Sequence, residues 1–337
     1  MIRVIEPGLL STVQDEGRHG FQQFGIITSG VMDPFALRIA NLLVGNKEDE
    51  AAIEVTLTGP TLDFDEDVLM AVCGADFSAV VDGEPLPLWR PVLVKKGSNV
   101  HMKFSKQGCR AIIAIAGGLN LPSKMNSKST YVRAGIGGFN GRAFEKEDVI
   151  KGTFLSEKSY QILRTLTKKK TSKMFTSLWS ISAHYIDDLY NPKAIRIIKG
   201  RHYDEFSRES KESFWEQQYK ISPQSDRMGY RLEGPVLERM NDQDLLSEAV
   251  AFGTIQIPSD GQPIILLADR QTIGGYPKIG QVASVDLPAL VQKKPGEEIE
   301  FEEVSHQQAQ QLLLKREQDI RELKWMINRK LKDEGKG

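Results

Sequence analysis

The dipeptide Asp-Arg occurs twice beside glycine, in Ser225-Asp226-Arg227-Met228-Gly229 and at the head of Asp269-Arg270-Gln271-Thr272-Ile273-Gly274-Gly275-Tyr276-Pro277. A guanidinium offers a planar fork to a carboxylate or phosphate, and a neighbouring Asp can orient it or accept a proton. For either pair alone, a structural ion pair is the ordinary outcome. Two such pairs in glycine-flanked turns point to a polar cleft that draws on several turns. Thr12-Val13-Gln14-Asp15-Glu16-Gly17-Arg18 likewise sets an acid and a base around a glycine. Ser29-Gly30-Val31-Met32-Asp33 leads into a helix N-terminus whose N–H groups suit an anion, although Asp33 as the cap would occupy some of them. The cluster Gly135-Ile136-Gly137-Gly138-Phe139-Asn140-Gly141-Arg142 has two readings, a tight turn or an anion nest closed by Arg142.

The chain lacks G-x-x-x-x-G-K-[ST], so it carries no Walker-type ATP site of its own. Its five histidines (His19, His101, His184, His202 and His306) show no H-x-H or H-x-x-x-H spacing, and no metal site is expected. Neither Cys73 nor Cys109 lies in a C-x-x-C. Cys73 closes the apolar run Val68–Cys73 and reads as a buried, inert thiol. Lys+Arg total 44 against 45 Asp+Glu, a balance that argues against a dedicated nucleic-acid binder. The start of the chain shows no signal-peptide core, and no apolar run is long enough for a membrane span, so a cytoplasmic protein is expected.

The elements that must position these residues are mostly strands. Val68–Cys73, Pro91–Lys95, Ala111–Ala116, Ala194–Ile198, Gly253–Pro258 and Pro263–Ala268 are short, rich in Val, Ile and Leu, and fenced by Gly, Pro or Asp. Asp82-Gly83 and Asp260-Gly261 are hairpin turns with a return strand after each. Such spacing favours barrels or sandwiches over a parallel α/β sheet. Asp33-Pro34 and Gly45-Asn46 bracket a short helix. Ser305 and Gln308 form a capping box ahead of a tail helix with Ala309, Leu313, Ile320, Leu323, Ile327 and Leu331 on its apolar face. The polar stretch Ser156–Lys173, with Lys168-Lys169-Lys170, reads as a solvated loop or linker, a phosphate contact being the alternative. Gly59-Pro60-Thr61-Leu62 before Asp82-Gly83 is echoed by Gly234-Pro235-Val236-Leu237 before Asp260-Gly261, which suggests two related β-units in 337 residues.

Several of these strings resemble the allophanate hydrolase subunit 2 family, also called KipA-like or biotin-dependent carboxyltransferase-like. They are Thr12–Asp15 with Gly17-Arg18, Ser29–Asp33, Ala40–Asn46 with Glu54, Ser225–Gly229 with Arg231-Leu232, Gly253–Pro258 and Asp269–Pro277. The resemblance runs from about residue 3 to residue 302 in the family's order. It implies a mainly β fold of two cyclophilin-like β-barrel units with a few short helices and a C-terminal helix. The expected boundaries are 1–185 and 186–303 for the barrels and 304–337 for the helix and tail. Stand-alone members of this length resemble the C subunit of bacterial 5-oxoprolinase, an enzyme that opens 5-oxo-L-proline to L-glutamate with ATP. The implied partners are a KipI-like B subunit and a LamB/YcsF-like A subunit, with no nucleic acid and no membrane. The alternatives are a KipA-like antagonist of a KipI-type histidine-kinase inhibitor, or a carboxyltransferase of the urea carboxylase type.

Two departures stand out. Asn126-Ser127-Lys128-Ser129-Thr130 replaces the family's Gly-Ser-Arg-Ser-Thr, and Glu147-Asp148 stands where Gly-Asp is common. Lys128 keeps the charge but not the bidentate fork. No biotinyl-lysine context is present, so biotin would come from another protein, while ATP would be used by the assembled complex. Asp226, Arg227, Asp269 and Arg270 are the expected catalytic residues, the arginines for charge stabilisation and the aspartates for orientation or base. Asp15, Arg18, Gln256, Thr272, Gly274, Gly275, Tyr276 and Arg142 are the expected substrate-binding residues.

Overall fold

The computed structural model describes residues 1–166, 173–241 and 245–334. The chain divides into two compact units, one comprising residues 1–18, 33–183 and 319–337, the other 19–32 and 184–318. The expected break at 185/186 lies here at 183/184. Residues 19–32 belong to the second unit, and the tail helix is apportioned at 318/319 rather than standing apart.

In the first unit one sheet has the order β11 (Val149–Ile150), β1 (Ile2–Glu6), β4 (Thr61–Phe64), β9 (Asn99–His101), β6 (Val80–Val81) and β7 (Glu84–Pro85). The other runs β12 (Met174–Thr176), β8 (Val92–Val94), β5 (Val68–Asp76), β10 (Gln107–Ile115), β3 (Ala52–Thr56) and β2 (Leu10–Gln14). Both sheets contribute to one barrel-like core, with Val4, Leu62 and Phe64 from the first and Val13, Val72 and Ile113 from the second. In β4, buried Leu62 and Phe64 alternate with half-exposed Thr61 and Asp63, the period of a strand with one wet face. β5 and β10 are buried almost throughout because helix α1 (Pro34–Val44) packs on them. Asp33 Oδ1 accepts from Ala36 N at 2.9 Å to cap α1, and Gly45 ends it at φ 81°. Asp82 and Gly83 form the β6–β7 turn with φ 48° and 93°, the left-handed pair of a type I′ hairpin. Burial pushes the Cys73 thiol well above its ordinary pKa, in keeping with an inert group.

The stretch expected as a linker is instead helix α2 (Glu157–Leu166), which buries Ser159, Ile162 and Leu166 at helical spacing. Ser159 Oγ donates to Val44 O at 2.8 Å, tying α2 to the end of α1. Lys168-Lys169-Lys170 lies outside the described residues.

The longer segment of the second unit begins in helix α3 (Ala183–Tyr190), whose first residue belongs to the first unit. An eight-stranded sheet follows: β21 (Glu298–Ile299), β14 (Tyr219–Ile221), β15 (Gly229–Glu233), β18 (Ile264–Leu266), β17 (Thr254–Gln256), β20 (Lys278–Val282), β13 (Ile195–Lys199) and β22 (Phe301–Glu303). The strands at the two ends of this order, β21 and β22, are separated in the chain only by Glu300, so the sheet curls into a nearly closed barrel. Ile197, Phe214, Tyr219, Tyr230, Ile255 and Ile265 are among the side chains filling it. Met32 joins that core, which is why the short segment 19–32 belongs here. A separate two-stranded ribbon pairs β16 (Glu248–Ala249) with β19 (Ile273–Gly274). Helices α4 (Arg208–Glu216) and α5 (Leu287–Val291) complete the unit before α6 (His306–Glu334). The capping box is present: Gln308 N donates to Ser305 Oγ at 3.2 Å and Ser305 N to Gln308 Oε1 at 3.0 Å. Ala309, Ile320, Ile327 and Leu331 are buried as the periodicity requires, but Leu313 is 40% exposed.

Candidate functional site

In the first unit the expected site residues gather around the end of β2. Asp15 accepts hydrogen bonds from Gly17 N (2.8 Å), Ser127 Oγ (2.6 Å), Ser129 Oγ and Lys128 N. With both oxygens engaged, this carboxylate organises the loop 126–130. Arg18, 1% exposed, donates from Nη2 to Ser129 O. Gly137 lies directly over this pair: a Cβ there would be 2.3 Å from Arg18 Nη2 and 2.1 Å from Ser129 O, and its φ is 72°. Gly137 therefore clears a buried arginine. Arg142 does not point into an anion nest; its guanidinium grips Asp148 through two bonds of 2.7 and 2.8 Å. That pair holds the Asp148 carboxyl below its ordinary range. Lys128, the residue in place of the family's arginine, donates to Glu50 Oε1 at 2.8 Å and to Leu119 O at 3.1 Å.

In the second unit the two Asp-Arg dipeptides pair crosswise. Arg227 Nε donates to Asp269 Oδ2 at 2.9 Å and Nη2 to Oδ1 at 3.2 Å, with both side chains below a tenth exposed. Ser29 Oγ donates to Asp269 Oδ1 at 2.6 Å, and Arg227 also donates to Gly30 O. Ser29 does this from a left-handed backbone at φ 55°, an uncommon conformation for a serine that places its hydroxyl on the carboxylate. Breaking such a buried pair by deleting one partner costs about 3–5 kcal/mol. The pair is a rigid frame.

The other halves of the dipeptides have separate fates. Asp226 is exposed and accepts from Met228 N (2.7 Å) and Gly229 N (3.3 Å), an Asx turn that launches β15. Arg270 donates only to backbone carbonyls, Val250 O and Leu267 O, both at 3.3 Å, and no carboxylate among the described residues pairs with it. Burial draws its pKa below the ordinary arginine value. A guanidinium in that condition gains from an anionic ligand.

Downstream, the turn that follows Arg270 meets a cavity of about 730 Å³ lined by Gly275, Tyr276, Pro277, Ile257, Val236 and Arg239, among others. Arg239 itself is tied to Glu205 at 2.6 Å. Tyr276 is half exposed at the mouth, and the Thr272 carbonyl accepts from Val250 N at 3.2 Å to fasten the ribbon. Gln256, the last residue of β17, is 1% exposed, and its side-chain Nε2 has no hydrogen-bond partner among the described residues. A buried orphan of this kind costs about 1–3 kcal/mol. It lies against Gly274, where a Cβ would be 2.5 Å from Nε2.

Thus the structure brings Asp15 and Arg18 to the same Ser129 and joins Arg227 with Asp269, Gln256 with Gly274, and Gly275 with Tyr276, while Arg142 and Asp226 serve local structure. Sequence reasoning missed Ser29, Ser127 and Ser129 as the hydroxyls that orient the aspartates. All three lie in strings quoted above, Ser29–Asp33 and Asn126–Thr130, but nothing in those strings singles out the hydroxyls.

The carboxyltransferase domain, subdomain A and B, matches residues 24–303 of this chain. The chain belongs to that family. Within it, the chain is 36% identical to the C subunit of 5-oxoprolinase from Escherichia coli (strain K12), covering 97% of this chain and 99% of that protein. It is 37% identical to the corresponding 5-oxoprolinase C subunit of Haemophilus influenzae, covering 98% of this chain and all of that protein. The crystal structure of the Kluyveromyces lactis urea carboxylase superimposes with a TM-score of 0.82 at 28% identity over 95% of this chain, which spans 29% of that longer one. The family's barrel-like, mainly β architecture is the one described above. No helix among the described residues is long and apolar enough to cross a membrane.

Proposed function

We propose that this chain is the C subunit of an ATP-dependent 5-oxoprolinase that converts 5-oxo-L-proline to L-glutamate with a KipI-like and a LamB/YcsF-like partner. The observation that carries this reading is end-to-end coverage. The 5-oxoprolinase relatives match over 99% or more of their own length, whereas the urea carboxylase chain is matched over 29%. Opening a lactam needs its carboxylate held, its carbonyl oxygen activated and water delivered to the ring carbon. ATP supplies the activation by phosphorylating that oxygen. With no phosphate-binding loop in this sequence, we assign ATP to the assembly rather than to this chain alone.

Within the second unit, Arg270 is the residue best suited to a substrate carboxylate, since it is charged, partly desolvated and held only by carbonyls. Arg227 and Asp269 keep the turn at 269–277 rigid, and Tyr276 closes one side of the cavity. This favours a positioning role for the chain.

The decisive assay mixes the three proteins with ATP and 5-oxo-L-proline and measures glutamate. Release only with all three present is the expected outcome. Arg270→Gln should lower that rate at least 100-fold while leaving the circular dichroism spectrum unchanged, because it strands no buried carboxylate. Full activity in this variant, or glutamate release without this chain, would sink the assignment. The family description and the urea carboxylase likeness favour one second reading, carboxyl transfer with biotin carried by another protein. It predicts carboxylation of a small amide by a carboxybiotin donor and no ATP-coupled glutamate release. A KipA-like antagonist predicts tight binding to a KipI-like protein with no dependence on substrate.

A further inference from the structure

We propose that Gln256 is the specificity-determining donor of the second-unit site, its Nε2 binding a carbonyl or carboxylate oxygen of a small ligand seated against Gly274-Gly275. The inference rests on reading the 269–277 turn as the substrate site.

Three observations converge. First, the amide is 1% exposed and its Nε2 is without a partner among the described residues, although buried donors are paired in the great majority of cases. An apolar side chain of the same shape would serve the β17 position better if packing were its only task. Second, Gly274 is required by this amide and not by its own backbone. It has no positive φ, yet a Cβ at that position would stand 2.5 Å from Nε2 and 3.1 Å from Oε1. Glycine therefore lets the ribbon lie directly on an otherwise unused donor, one residue away from the cavity lining at Gly275 and Ile257. Third, the ribbon that carries Gly274 also carries the charge. Gly274 pairs with Glu248 and Ile273 with Ala249, and the next residue, Val250, bonds Thr272 through its N–H and Arg270 through its carbonyl. A neutral donor and a guanidinium that no carboxylate among the described residues pairs thus attach to the two ends of one short ribbon. The adjoining residues Gly275, Tyr276 and Ile257 line the cavity.

The chemistry that fits is a small molecule with one anionic group and one further acceptor oxygen, such as a carboxylate-bearing lactam or amide. A site that spends a buried donor on one oxygen rejects analogues that lack it, because the donor then stays unpaired.

The test uses Gln256→Leu and Gly274→Ala with 5-oxo-L-proline as the probe. In the three-protein assembly both should raise KM at least 10-fold with a smaller change in kcat. Gln256→Leu should melt at or above the wild-type temperature, since it removes an orphaned polar group. An unchanged KM in Gln256→Leu overturns the proposal, as does a melting temperature well below wild type, which would mean the amide serves the fold. If the wild-type assembly releases no glutamate, the functional reading fails separately. Calorimetric titration of the full chain with 5-oxo-L-proline and with urea then decides. Binding of either that Gln256→Leu abolishes upholds the donor, whereas equal binding by both proteins, or by neither, overturns it.

Discussion

Two positions where the family commonly has glycine are held in the left-handed region here, Asn126 at φ 61° and Glu147 at φ 70°. Asn tolerates that region because its short side chain bonds locally, whereas Glu does not, and a non-glycine residue there costs roughly 1–2 kcal/mol. The Glu147 side chain makes an exposed 3.4 Å contact to Arg3, too weak to offset this. Glu147→Gly should therefore stabilise the first unit by about 1 kcal/mol, less the entropy glycine adds to the unfolded chain. A rise in the urea midpoint at constant slope is expected, and a fall would refute the strain. The turn was visible in the sequence as Glu-Asp in place of Gly-Asp, but its backbone sign was not. The same limit applied to the Asp-Arg pairs. Each dipeptide suggested an ion pair with itself, whereas chain direction at a tight turn splays adjacent side chains, and Arg227 found its carboxylate at Asp269. Gln256 was named as a cleft residue, yet that its amide is orphaned depends on Gly274, eighteen positions away in sequence and reachable only through the fold.

Elements were more legible than contacts. The six apolar runs fenced by Gly, Pro or Asp all carry strands, since four to eight such residues between turn formers have little alternative. Helix α1 was bounded by signals that each act on the backbone: an acceptor before it, a proline at its start and a left-handed glycine after it. Helix α2 was hidden because its buried face is only Ser159, Ile162 and Leu166 in a polar stretch, so composition outweighed period. The cap on α1 gives a prediction at this scale. Asp33→Ala should lower the stability of the first unit by about 1–2 kcal/mol, and Asp33→Asn should recover most of it. Equal thermal midpoints for Asp33→Ala and wild type would show the cap to be idle.

At the scale of the whole molecule, a net charge of −1 and a pI near 6.6 leave little mutual repulsion between copies near neutral pH. Light scattering of the isolated chain at low salt should peak near pH 6.6 and fall on either side, and a flat profile would contradict this. The composition showed that balance at once, and the β-dominated architecture followed from the spacing of strands. The interleaving of the two units had no sequence signature. It also bears on how such a protein can be cut or inherited. Ser29, Gly30 and Met32 precede the bulk of their unit by some 150 residues, yet supply the hydroxyl and carbonyl that fix Asp269 and Arg227 and a piece of the core. A gene fragment that begins at residue 184 thus encodes an unfinished body, and joining two ready-made modules end to end does not reproduce this connectivity.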